Sequence, residues 1–287
     1  GRCAAACAVR INTGAWVQDL RAAQQAKRHL APKVAKWTQA HLASSLAIAR
    51  FALTSARQFQ RFTPRLLPVG LPQLPPAVKH HRSADAPPSR TQQANKAIYF
   101  TTCPNRVFGY AAESTAAASL STTVAELCAK ADIDLQVVAH NPDLCCGQPW
   151  QSKGFPEHAE QKRAALETAL WEASAQGEYP VIVDASPCAL QLRQASVKTY
   201  ELSEFLLNYV VPQLSLRPLQ EPLALHVTCS SRHLDQGRAL RQLAQLCSSE
   251  VIEPPAVNCC GFAGDKGFTT PALNASALAT LAEALPE

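Results

Sequence analysis

The string Cys-Cys-Gly occurs twice, at 145–147 and at 259–261, and it limits what the chain can become more than any other feature. Neighbouring cysteines make a poor disulfide framework, because a bridge between them is strained. The cysteine count of 11 is also odd, which argues against full pairing and favours metal ligation in a reducing, cytoplasmic compartment. Each doublet is preceded by a cysteine that closes an apolar run: Cys103 follows Tyr99-Phe100-Thr101-Thr102, and Cys229 follows His226-Val227-Thr228. Cys188 stands just after a third run, Val181–Asp184. Forty-one residues separate Cys103 from Cys145, and 41 separate Cys146 from Cys188.

Short apolar runs at Ile98–Thr101, Leu135–Ala139, Val181–Asp184 and Leu223–Thr228 have strand length. Helical stretches are expected near 113–130, 157–175, 202–214 and 232–247. This alternation predicts α/β architecture, with two Cys-Cys-Gly repeats (about 96–214 and 220–287) on mainly parallel βαβ units. Residues 1–63 read as all-α, with one long helix from Lys33 to Phe62. Seven prolines between Pro64 and Pro88 mark residues 64–95 as a linker to the cysteine-rich domain, 96–287.

Open α/β sheets place their ligands beyond the carboxyl ends of their strands, where Cys103, Cys188 and Cys229 are expected. A helix beginning there favours thiolate, the metal-binding form. Adjacent residues of a regular strand point to opposite faces, so the glycine after each doublet is expected to take positive φ and turn both sulfurs to one side. Cys103, Cys145, Cys146 and Cys188 then offer four soft ligands to an iron–sulfur cluster or a zinc ion. Cys229, Cys259 and Cys260 offer three in the second repeat. Cys128 and Cys247 fall in helical stretches and read as core residues, and His226 as a hydrogen-bonded core histidine. Cys3-x3-Cys7 matches the end of a bacterial ferredoxin run, with Ala8 in place of the usual proline; cluster remnant and chance both remain open.

Charge is divided along the chain. From Leu20 to Ala84 there is no acidic residue and there are 11 basic ones, in a chain of net charge +5. The basic helices are expected to meet something anionic, either the inner face of a membrane or an acidic flank of another domain. No P-loop, dinucleotide fingerprint or nucleophile elbow is present, and no run is long enough to span a bilayer. No nucleic-acid partner is expected. The chain has no Met and starts at Gly1, so a piece of a longer protein is expected.

The segments FTTCPNRVFG (100–109), LCCGQPWQSKG (144–154), VTCSSRHL (227–234) and NCCGFAGDKGF (258–268) resemble the cysteine-rich domain of heterodisulfide reductase subunits, glycolate oxidase iron–sulfur subunits and FAD-dependent D-lactate dehydrogenases. The stretch Cys7–Gly14 resembles the ferredoxin exit of the last of these. That resemblance implies an FAD-linked D-2-hydroxyacid dehydrogenase whose flavin domain precedes this chain and passes electrons through it to a cytochrome or quinone. It also implies that Cys3 and Cys7 ligate a [4Fe–4S] cluster, with a further iron–sulfur or zinc centre at the doublets. This chain alone would then lack activity. An iron–sulfur subunit of the glycolate oxidase or heterodisulfide reductase type is the nearest alternative, and a zinc-stabilised scaffold is another. Heterodisulfide reductases carry Cys-x-x-Cys where this chain has Ala185-Ser186-Pro187-Cys188, which leaves a single four-cysteine site.

Overall fold

The computed structural model describes residues 8–9, 11–25, 27–62, 77, 95–109, 118–138, 142–255, 257, 259–262 and 266–285. Three helices come first: α1 (Thr13–Gln25), α2 (Ala31–Ala40) and α3 (Leu42–Phe62). The expected single helix from Lys33 is therefore broken at His41, whose backbone leaves the helical region (φ −125, ψ 50) while its N–H still donates to Trp37 O. The break allows Leu42 to reach the core and lets the Ala43 N–H donate to Asp143 Oδ1 at 2.9 Å. Packing against the cysteine-rich domain thus overrides a continuous local propensity.

That domain runs β1 (Asn95–Phe100), α4 (Cys103–Val107), α5 (Leu120–Lys130), β2 (Ile133–Val137), α6 (Gln148–Lys153), α7 (Pro156–Ala173), β3 (Val181–Val183), α8 (Ser186–Gln191), β4 (Thr199–Glu201) and α9 (Leu202–Phe205). A π turn, Leu206–Val210, and a 3-10 turn, Val211–Gln213, continue α9 in place of the regular helix expected over 202–214. All four strands are parallel, in the order β2-β1-β3-β4. Helices cover both faces, so strand alternation sorts side chains into two cores. Ile98, Phe100, Val181 and Val183 face α7 with Leu166, Leu170 and Trp150. Ala97, Tyr99 and Ile182 face α5 and α9 with Val124, Cys128 and Phe205. Cys128 is fully buried, as its position predicts, whereas Cys247 is only half-buried.

The second unit is smaller: β5 (Leu223–Ala224), α10 (Cys229–His233), α11 (Gly237–Cys247), β6 (Val251–Ile252), α12 (Lys266–Thr269), α13 (Pro271–Ala277) and α14 (Leu281–Ala284). Its two strands pair in parallel over two residues each. The strand expected from Leu223 to Thr228 stops early because β6 is followed by Glu253-Pro254-Pro255, and proline has no N–H to extend the ladder. The stretch expected as one helix over 232–247 is divided between α10 and α11, with Asp235 at φ 61 between them. Strands β4 and β6 are too short to have stood out in the sequence.

Helices α1–α3 sit against the first unit. Arg21 Nη1 donates to Ser152 O at 2.7 Å, Gln25 Nε2 to Lys153 O at 2.9 Å, and Trp150 Nε1 to Ala35 O at 3.1 Å. The Trp150 bond is buried, and Trp150→Phe removes the donor together with part of the packing volume of the indole. A loss of about 2 kcal/mol or more in unfolding free energy is expected from urea titration, the lost bond adding to the cavity left behind. An unchanged midpoint would mean that neither the bond nor the indole holds α2 in place.

Candidate metal centre

The strand order reverses between β1 and β3, and ligands of doubly wound sheets bind beyond the carboxyl ends at such a switch point. Cys103 is the first residue of α4, directly after β1, and Cys188 lies in the first turn of α8, after β3. The loop after β2 carries Cys145 and Cys146 to the same place. Cys103 Sγ and Cys145 Sγ are 3.3 Å apart, and Cys146 Sγ and Cys188 Sγ 3.0 Å. Cys145 and Cys146 are neighbours in the chain, and their backbone joins the two pairs. The doublet splits its contacts, one sulfur toward each strand end, so the four thiols form a chain across the switch point.

Gly147 makes this possible. It has φ +83 and caps α6, and a Cβ there would stand 2.3 Å from Ala159 O, inside the backbone of α7. The second doublet repeats the device: Gly261 has φ +68, and its Cβ would stand 2.4 Å from Leu273 O.

Cys145, Cys146 and Cys188 are buried in the core that faces α7, and Cys103 is half-buried beside them. At Cys103 the protonation runs against the helix-dipole expectation. The Cys145 contact and burial push the Cys103 thiol well up, outweighing the nearby Arg106. The hydrogen bond with Cys103 lowers Cys145, but the neighbouring Cys146 thiol and burial push it up to about 12. Cys146 is likewise raised: the neighbouring Cys145 lowers it, and the Cys188 bond and burial prevail. Desolvation disfavours thiolate, and a bound cation would reverse this by displacing the protons.

Among the described residues, no group of three or more His, Cys, Asp or Glu side chains converges closely enough to hold a metal ion as the structure stands. Four sulfurs around one tetrahedral ion at 2.3 Å would all lie about 3.8 Å from one another. The two close pairs here, at 3.3 and 3.0 Å, are tighter than that, so loading requires the thiols to spread. In kind and number the donors suit an iron–sulfur cluster or zinc.

Two polar residues of the site were not picked out as site residues from the sequence. Arg106 Nη2 donates to Cys103 Sγ at 3.2 Å and to Leu144 O at 2.6 Å, and its Nη1 donates to Pro142 O at 2.8 Å. It places a positive charge on a donor sulfur and pins the loop that leads into the doublet. Asp184, at the end of β3, accepts from Tyr99 OH at 2.8 Å and from the Thr102 N–H at 2.9 Å. Arg106, one helical turn beyond Cys103, was legible as a charge able to reach that sulfur; Asp184 gave no such signal.

In the second unit Cys229 begins α10, Cys259 is half-buried and Cys260 is exposed. Cys259 Sγ accepts from the Gly261 N–H at 3.4 Å, and Cys260 O from Asn274 Nδ2 at 2.6 Å. These three cysteines are not drawn together as the first four are. Helices α8 and α10 do pack on each other, with Ser186 Oγ and Thr228 Oγ1 3.3 Å apart, which sets the two cysteine regions side by side. His226 is half-buried on the wall of a cavity of about 230 Å³, with Arg232 and Glu253, rather than inside a core. Cys3 and Cys7 lie outside the described residues.

A parallel sheet with thiols gathered at its switch point defines a cysteine-rich α/β domain. The sequence pattern of the cysteine-rich domain named CCG matches residues 97–193 and 223–285, more than half of the chain, and the chain belongs to that family. Its relatives include lactate utilization protein A of Bacillus velezensis, 29% identical over 136 residues that cover 42% of this chain and 57% of that protein. The Bacillus pumilus protein of the same name is 26% identical over 150 residues, 46% and 62% of the two chains. That of Bacillus subtilis is 28% identical over 136 residues, 42% and 57%. The matches therefore span somewhat over half the length of these curated relatives. No solved structure matches the chain significantly.

Proposed function

We propose that this chain is an iron–sulfur electron carrier within a lactate-oxidising system. The observation that carries the proposal is the joining of Cys103, Cys145, Cys146 and Cys188 at the switch point of the sheet. The relatives named for lactate utilization supply the substrate class. An iron–sulfur cluster, when bound, takes up and releases single electrons at potentials set by its surroundings. The chain's own residues supply those surroundings. Four thiols hold the group, the core facing α7 excludes water from three of them, and Arg106 places a cation and an N–H donor on Cys103 Sγ. Positive charge and sulfur hydrogen bonds stabilise the more reduced, more negative state.

The finer reading is a D-2-hydroxyacid dehydrogenase of the FAD-linked type. In it a flavin domain outside this chain oxidises D-lactate, and electrons pass through this chain to a cytochrome or quinone. Cys3 and Cys7 supply part of a [4Fe–4S] ligand set, and Cys229, Cys259 and Cys260 part of a further centre.

Anaerobic purification of the 287-residue chain, with iron, sulfide and zinc analysis and a visible spectrum, tests the cluster. Iron and sulfide are expected, and the joint change Cys145→Ser, Cys146→Ser should remove the share held at the first unit. Zinc without iron, or iron unaffected by that change, would overturn the assignment of an iron–sulfur centre to these four cysteines.

A further inference from the structure

The three N-terminal helices use one side each to grip the cysteine-rich domain and turn large apolar side chains outward. Among the described residues, 11 of the 19 exposed large hydrophobic side chains lie between Val9 and Phe59. Leu30, immediately before α2, and Val34 and Trp37 on it recur at helical spacing on one face, and are 76%, 59% and 46% exposed. On α3, Ile48 and Phe51, one turn apart and 57% and 75% exposed, do the same. Scattered exposed apolar residues need no explanation, but stripes on adjacent helices mark a docking surface.

The charge around these stripes identifies the occupant. Lys27, Arg28, Lys33 and Lys36 are exposed among Leu30, Val34 and Trp37, and no acidic residue occurs from Leu20 to Phe62. A protein partner would need an acidic surface that is also apolar. An anionic bilayer offers both properties at once: phosphate headgroups over a hydrocarbon boundary where Trp is favoured and lysine stems lie along the apolar face. No described helix is long and apolar enough to cross a membrane, so the contact would lie in the plane of the surface.

We infer that α2 and the outward face of α3 dock this protein on an anionic phospholipid surface. Each basic residue near such a surface strengthens binding by about fivefold. The Leu30–Trp37 face adds apolar insertion, and high salt weakens the electrostatic part.

Vesicle flotation of the 287-residue protein tests this, comparing phosphatidylcholine vesicles with vesicles rich in phosphatidylglycerol. Binding is expected on the anionic vesicles only. The joint change Lys27→Glu, Arg28→Glu, Lys33→Glu, Lys36→Glu should lower it by at least about a hundredfold. The change Leu30→Ser, Trp37→Ser should lower it with the charges intact. Far-UV ellipticity of each variant checks that the helices persist; if either unfolds, the single changes Lys33→Glu and Leu30→Ser give the same readout. Equal binding to both vesicle types, or none, would overturn the inference. Concentration-dependent self-association that Trp37→Ser abolishes, without vesicle binding, would assign the face to a protein instead.

Discussion

Gly147→Ala is expected to destabilise the protein by about 3 kcal/mol or more and to disconnect the four-thiol chain. Two costs combine. The left-handed backbone at φ +83 costs an alanine about 1–2 kcal/mol. The new Cβ would also lie 2.3, 2.9 and 3.0 Å from the O, C and Cα of Ala159, and backbone inside a helix cannot swing aside as a side chain can. Gly177→Ala separates the two: its φ is +91, yet its nearest neighbour, a Trp171 ring carbon, is 3.6 Å from the built Cβ. That variant should show the conformational cost alone, and the difference between them measures the clash with α7. Urea unfolding followed by ellipticity gives both values, and metal content of the same samples reports whether Cys145 and Cys146 still reach their partners. Equal losses at the two glycines would show that α7 yields, and that packing does not enforce the turn after the doublet.

The same glycine shows what the sequence made legible. Two cysteines followed by glycine required an irregular turn, because neighbouring side chains on a regular strand diverge, and the turn has the expected positive φ. Cys103 and Cys188 were placed at strand ends by the apolar runs before them, and the symmetric spacing brought four thiols into one proposal. Three things could not be read. The order β2-β1-β3-β4 depends on which strands share buried faces, and no single segment records that. The break at His41 lies in a stretch of good helix formers; it follows from the opportunity for Leu42 and Ala43 to contact a loop about 100 residues away. At Cys103 the thiol is raised rather than lowered, because helix position was weighed without the Cys145 contact and the burial that the fold imposes on the same sulfur.

Asp184→Ala is expected to cost about 3 kcal/mol, the sum of two hydrogen bonds to a charged acceptor that is nearly buried. Its carboxylate bridges the central strands: one oxygen takes the Tyr99 hydroxyl from β1, and the other takes the Thr102 N–H immediately before Cys103. Tyr99 and Thr102 are both fully buried, so removing the acceptor deletes both bonds and leaves the Thr102 N–H where water cannot easily replace it. Tyr99→Phe removes only the first bond and should cost about 1 kcal/mol. Combining the two changes in a double-mutant cycle isolates the Tyr99 coupling, and what remains belongs largely to the Thr102 N–H. Because that N–H fixes the residue leading into α4, Asp184→Ala should also lower metal content, whereas Tyr99→Phe should leave it intact. If Asp184→Ala costs no more than Tyr99→Phe and metal content is unchanged, the carboxylate does not position Cys103, and the Arg106 and Cys145 contacts at its sulfur hold it unaided.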